Sequence, residues 1–167
     1  MMRTLLLLRH AKSGHSDDSI PDHDRPLSER GRRAAPRMGQ LLIDADLVPD
    51  TIISSSSQRT QETAELVAEA GDVLQAVEYD ERLYLASAKT IIRVLSRLPS
   101  RAQRVMVVAH NPGLEDAVRT LTGRSEDLPT AALAHIELPI ESWNELEGKV
   151  KGTLQKIWRP RDLESDE

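Results

Sequence analysis

Short apolar runs alternate along this chain with segments of helical period, and that alternation leaves few folds open. Residues 5–8 (LLLL), Thr51–Ser54 (TIIS) and 105–109 (VMVVA) are short and bounded by polar residues, as strands covered on both faces are. Between and after them, apolar residues recur at the i, i+3, i+4, i+7 spacing of one helix face. The sets are Met38, Leu41, Leu42 and Ala45; Thr63, Leu66, Val67 and Ala70; Ile91, Val94, Leu95 and Leu98; and Leu114, Ala117, Val118 and Leu121. The order β, α, β, α, α, β, α predicts an α/β sandwich around a mainly parallel sheet. Two later runs, LAHIEL from Leu133 and TLQKIW from Thr153, alternate more strongly and are expected to be further strands, one at an edge. Pro36 falls inside the first helical pattern and is expected to kink it or divide it in two.

A chain of 167 residues with 39% hydrophobic residues can bury one core, so a single domain is expected over 1–160. Its end, 161–167, is acidic and without an apolar stripe, and is expected to fray. The net charge of −5 and the lack of a long basic stripe speak against nucleic acid or an anionic membrane as partner. With no cysteine there is no disulfide, thiolate metal site or cysteine nucleophile, which suits a reducing cytoplasm. No apolar run is long enough for a membrane span or a signal peptide, so a soluble, unprocessed protein is expected.

Three strands run into polar residues of related character. The leucines at 5–8 end in Arg9 and His10, TIISSSSQR leads to Arg59, and VMVVAH delivers His110. In open α/β sheets ligands bind beyond the carboxyl ends of the strands, so these four side chains are predicted to share one pocket. After His110, Asn111 is a candidate N-cap, Pro112 a candidate first helical residue, and Gly123 a stop. Arginine forks match phosphate oxygens, and a neutral imidazole beside them can attack phosphorus. Taken singly, each of these residues could be a solvated strand end, a satisfied core histidine or a surface charge. Their joint placement points to a site.

The same residues resemble the histidine phosphatase superfamily, the phosphoglycerate-mutase-like family. LLLLRHAKS looks like the form found in SixA-type phosphohistidine phosphatases, and DRPLSERG (24–31), SSSSQRTQETAE around Arg59, DERLYLAS (80–87) and VVAHNPGLE (107–115) follow in the family's order. The resemblance spans at least residues 5–122. It implies a three-layer α/β/α sandwich and phosphatase activity without metal or organic cofactor. It implies His10 as the residue transiently phosphorylated, with Arg9, Arg59 and His110 as the phosphate pocket and Arg25 at its rim. Glu81 is the positional match for the family's leaving-group acid, with Asp80 as its rival; SixA-type members depend less on such an acid. For Arg25, an ion pair with Asp22 or Asp24 is the competing expectation.

The substrate implied is phosphohistidine on a protein, with a small phosphomonoester as the alternative. Two other classes compete with it: a non-catalytic phosphate-binding module, and a metallohydrolase using His10, His15, His23 and nearby aspartates. The spacing matches no metal-ligand motif, and adjacent arginines would repel a cation. His15, His23 and His135 are given no role.

Overall fold

The structure, a computed structural model, describes residues 2–14 and 19–160; His15 and the acidic 161–167 lie outside the described residues. Six strands and four helices follow in the order β1 (Arg3–Arg9), α1 (Glu29–Asp44), β2 (Thr51–Ser54), α2 (Gln58–Ala70), β3 (Glu78–Tyr79), α3 (Ala88–Ser96), β4 (Arg104–Ala109), α4 (Gly113–Thr122), β5 (Leu133–Leu138) and β6 (Thr153–Trp158). Short 3-10 helices at Asp22–Asp24, Glu81–Leu83 and Trp143–Glu147 complete the path. The strands form one sheet in the order β3-β2-β4-β1-β5-β6. β1, β2, β3 and β4 run parallel, whereas β5 pairs antiparallel with both β1 and β6.

The pleat of β1 explains why four leucines stand in a row. Side chains alternate across a strand, so Leu5 and Leu7 join the core under α3 and α4 with Ile91, Leu95, Leu114 and Val118. Leu6 and Leu8 join the opposite core with Met38, Leu42 and Val67 from α1 and α2. All four are fully buried, each worth about 1.5–3 kcal/mol relative to exposure. The result is the α/β/α sandwich with a mainly parallel sheet that the pattern predicts. β6 takes one edge of the sheet. The other edge is β3, whose two exposed residues carry no periodic signal.

Two local expectations are corrected. Helix α1 runs unbroken through Pro36 from Glu29 to Asp44. An interior proline costs about 3 kcal/mol, but Ala35 before it and Met38, Gly39 and Leu42 after it are all buried. At Gly39 the helix meets α2 so closely that a Cβ would lie 2.5 Å from the Val67 carbonyl oxygen. Packing on both sides of the proline outweighs the lost hydrogen bond. Helix α4 begins at Gly113, one residue later than predicted, with Pro112 in the capping position. Asn111 does not cap it; its Nδ2 donates instead to the Leu128 carbonyl at 2.8 Å. Gly123 stops α4 as expected, in the left-handed conformation at φ 77°.

Candidate active site

The register of the central strands builds the site. Arg9 pairs with Ala109 across β1 and β4, so the next residue on each strand, His10 and His110, emerges at the same end of the sheet. The His10 amide donates to the Ala109 carbonyl at 3.2 Å, and the two imidazole rings lie 5.4 Å apart, centroid to centroid. On the other side of β4, Ser54 pairs with Val108. Ser55 therefore falls beside His110, and its Oγ is 2.8 Å from His110 Nε2. Ser57 caps α2 by accepting from the Thr60 amide, which puts Arg59 in the first turn, directed at the same point.

Burial sets the charge state of both histidines, and a hydrogen bond sets the tautomer of His10. His10 Nδ1 lies 2.8 Å from the Ala11 carbonyl oxygen; a carbonyl can only accept, so Nδ1 carries the hydrogen and Nε2 keeps its lone pair. Burial pushes the His10 pKa down to about 4, aided by the charges of Arg59, Arg9 and Arg25. His110 is pushed down to about 3, first by burial and then by His10 and Arg59. Both rings are thus neutral at neutral pH. Arg59 Nη2 donates toward His110 Nδ1 at 3.5 Å, which turns His110 Nε2–H toward Ser55. Because the serine hydroxyl can donate or accept, it can hold either tautomer of His110.

Arg9, His10, Arg25, Arg59 and His110 line one open pocket of about 330 Å³. Lys12, Ser13, Asn111, Thr130 and Leu85 complete the lining; it includes no carboxylate among the described residues. Arg59 and His110 are only 3% and 2% exposed, so their charge and dipole act in a region of reduced dielectric. Arg9 Nη1 donates to the Leu128 carbonyl at 3.1 Å, and burial, more than any neighbour, lowers its pKa. Arg9, Arg25 and Arg59 each keep a buried Nε without a partner among the described residues.

A family model for the histidine phosphatase superfamily, branch 1, matches residues 5–84. An uncharacterised chloroplastic protein of Arabidopsis thaliana is 33% identical over 152 residues, covering 86% of this chain and 70% of its own length. The chain belongs to the histidine phosphatase superfamily. Among solved structures, a protein assigned as the phosphohistidine phosphatase SixA of Nakamurella multipartitia superposes with a TM-score of 0.81 at 28% identity, over 96% of this chain and 97% of that one. A protein with the same assignment from Agrobacterium tumefaciens gives a TM-score of 0.81 at 25% identity, over 95% and 98%. Both structures match this chain along nearly its whole length.

Against this superfamily's pattern, the acid is the residue that the structure sets apart. Glu81 opens the 3-10 helix Glu81–Leu83, is exposed, and is absent from the pocket lining. Asp80 is engaged elsewhere, with its Oδ2 2.7 Å from Arg82 Nη2 and its Oδ1 accepting from the Arg82 amide. Arg25 satisfies both expectations, since it lines the pocket and also pairs with Asp22 at 3.2 Å.

Sequence reading gave Asp22 only as a partner for Arg25 and missed its hold on Arg59. Its carbonyl accepts from Arg59 Nη1 at 2.8 Å, and its carboxylate pairs with Arg59 Nη2 at 3.1 Å. The Tyr84 hydroxyl donates to the same carboxylate. The Tyr84 hydrogen bond, then the charges and bonds of Arg59 and Arg25, hold the Asp22 pKa below the ordinary carboxylate range. His23 packs its ring 4.7 Å from that of Tyr84, which in turn lies 5.5 Å from His110. Thr63 was missed as well: its Oγ1 accepts from the Ala11 amide at 3.0 Å and donates to the Arg59 carbonyl at 2.7 Å, tying the His10 loop to α2.

No helix of the described residues is long and apolar enough to cross a membrane. Among those residues, no group of three or more His, Asp or Glu is placed to hold a metal ion.

Proposed function

We propose that the protein is a phosphatase acting by double displacement through a phosphohistidine on His10, with phosphohistidine carried by a protein as its substrate. His10 Nε2, its lone pair free, attacks phosphorus in line; the N–P bond forms as the bond to the leaving group breaks. Arg9 and Arg59, with Arg25 at the rim, donate to the phosphoryl oxygens. Arginine forks of this kind match phosphate oxygens in geometry and charge. His110 contributes its Nδ1–H in the tautomer in which Ser55 donates to Nε2. On phosphorylation His10 keeps Nδ1–H on the Ala11 carbonyl, and water then displaces the imidazole to release phosphate. No step passes through a metal or cofactor.

The observation that carries the choice of substrate is a pocket lining with cations, two imidazoles and, among the described residues, no carboxylate. An alkoxide leaving group needs a proton as its bond breaks. The imidazole of phosphohistidine can bring that proton with it. The assignment of two structural relatives as phosphohistidine phosphatases supports the same reading, and the absence of cysteine suits a cytoplasmic setting. A panel of phosphohistidine protein, phosphohistidine peptide and small phosphate esters, compared by kcat/KM, tests it. The protein substrate should rank first. A small ester ranking first would overturn the substrate and leave a phosphomonoesterase; no turnover of any would leave a phosphate-binding module.

A further inference from the structure

Among the described residues, Leu85 is the one aliphatic side chain in the lining of an otherwise polar and cationic pocket. It is 57% exposed, and its backbone sits at φ 50°. Both features work against stability. Exposure wastes an apolar side chain, and the left-handed region is disfavoured for a bulky L-residue, where glycine or asparagine is the usual occupant.

The flanking residues show how the conformation is enforced. Leu83, fully buried, anchors one side. Tyr84 is held by its hydrogen bond to Asp22 and by its edge contact with the His110 ring. On the other side, the Ala86 carbonyl lies against Gly113 at the start of α4, where an added Cβ would meet the oxygen at 1.9 Å. Ser87 then caps α3 by accepting from the Thr90 amide at 3.2 Å. Between these fixed points, Leu85 is held at the pocket.

We infer that Leu85 is a specificity-determining contact, an apolar platform on which a flat ring attached to the phosphoryl group rests. This rests on the reading above and deepens it. Phosphohistidine places an imidazole on the phosphorus, and Leu85 is the one aliphatic side chain among the described lining residues that such a ring can meet. The platform selects for ring-bearing leaving groups whether the bond to phosphorus is P–N or P–O, so its effect is separable from the chemistry of departure.

Four substrates make the separation: phosphohistidine and phenyl phosphate carry a ring, phosphoramidate and methyl phosphate do not. Leu85→Ala and Leu85→Gly should lower kcat/KM for the two ring-bearing substrates about 5–10-fold more than for the two without, as expected when much of one leucine's contact is lost. Leu85→Phe should restore the ring preference. Leu85→Gly, which relieves the backbone, should also keep or raise Tm. Calorimetry with phenylphosphonate and methylphosphonate reads the same contact without turnover, and Leu85→Ala should narrow the gap between them. An equal factor on all four substrates, or no change in the ring preference, overturns the inference. A wild-type protein that favours methyl phosphate over phosphoramidate would instead overturn the phosphohistidine reading and leave the platform to be judged on the two esters.

Discussion

His10 and His110 face each other at 5.4 Å because each follows the last residue pair, Arg9 with Ala109, in the β1–β4 register. The reactive pair is a product of sheet pairing: any slip between these two buried strands would part the rings. Both imidazoles are driven toward neutrality by burial, and the cations around them reinforce it.

That neutrality has a sign in the pH dependence of stability. A histidine whose folded pKa is depressed binds fewer protons folded than unfolded, so stability is complete above the unfolded value and falls as pH drops below it. The window for His10 runs from its ordinary 6.5 down to about 4, and for His110 from 6.5 down to about 3. Urea unfolding followed from pH 7 to pH 4 should therefore show wild-type stability declining, and His110→Gln should flatten the decline. Parallel curves would mean that His110 is not buried as a neutral ring.

Arg59→Ala should fold and lose about 2–4 kcal/mol of transition-state stabilisation, the range for other preorganised charge donors. The loss would be read in kcat/KM. Asp22 would then keep only Arg25 and Tyr84 as partners, so its pKa, followed by NMR, should rise. A surface arginine would move neither quantity.

Ser55→Ala removes the hydroxyl that partners His110 Nε2 and leaves a buried ring nitrogen without a partner. We expect a stability loss of about 1–3 kcal/mol and a fall in kcat larger than any change in KM. Ser55→Thr, which retains the hydroxyl, should recover kcat. Unchanged kcat in a folded Ser55→Ala protein would remove Ser55 from the account.

Gly113→Ala should destabilise by about 1–3 kcal/mol, because its Cβ would fall 1.9 Å from the Ala86 carbonyl oxygen and one backbone segment must give way. Gly148→Ala, where the nearest heavy atom is at an ordinary 3.6 Å, is the control. Equal midpoints in urea would show that the Tyr84–Ser87 segment is not docked as described.

Much of this could be read without coordinates. The strands covered on both faces and the four amphipathic helices announce themselves by period, because burial on one face or two leaves a regular mark on the chain. Arg9, His10, Arg59 and His110 follow from strand ends in a parallel sheet. Asp22, Ser55, Thr63 and Tyr84 do not, since their importance comes from approach in space: one serine among SSSS and one aspartate in an acidic loop look like their neighbours until the fold brings them to Arg59 or His110. β3 is too short and exposed to show alternation. Pro36 does not divide α1, because the α1–α2 contact outweighs local propensity. Glu81 matches by position, and the structure places it exposed and outside the pocket lining.

The central claim is a covalent one, and the most direct measurement is to trap the intermediate. Enzyme mixed with a phosphoryl donor, quenched in alkali to preserve phosphohistidine and digested for mass spectrometry, should carry one phosphoryl group on His10. The group should be absent from His10→Ala and should disappear from the wild type as the donor is exhausted. A turning-over enzyme that never carries phosphate on His10, or a folded His10→Ala protein that retains substantial activity, would contradict the account.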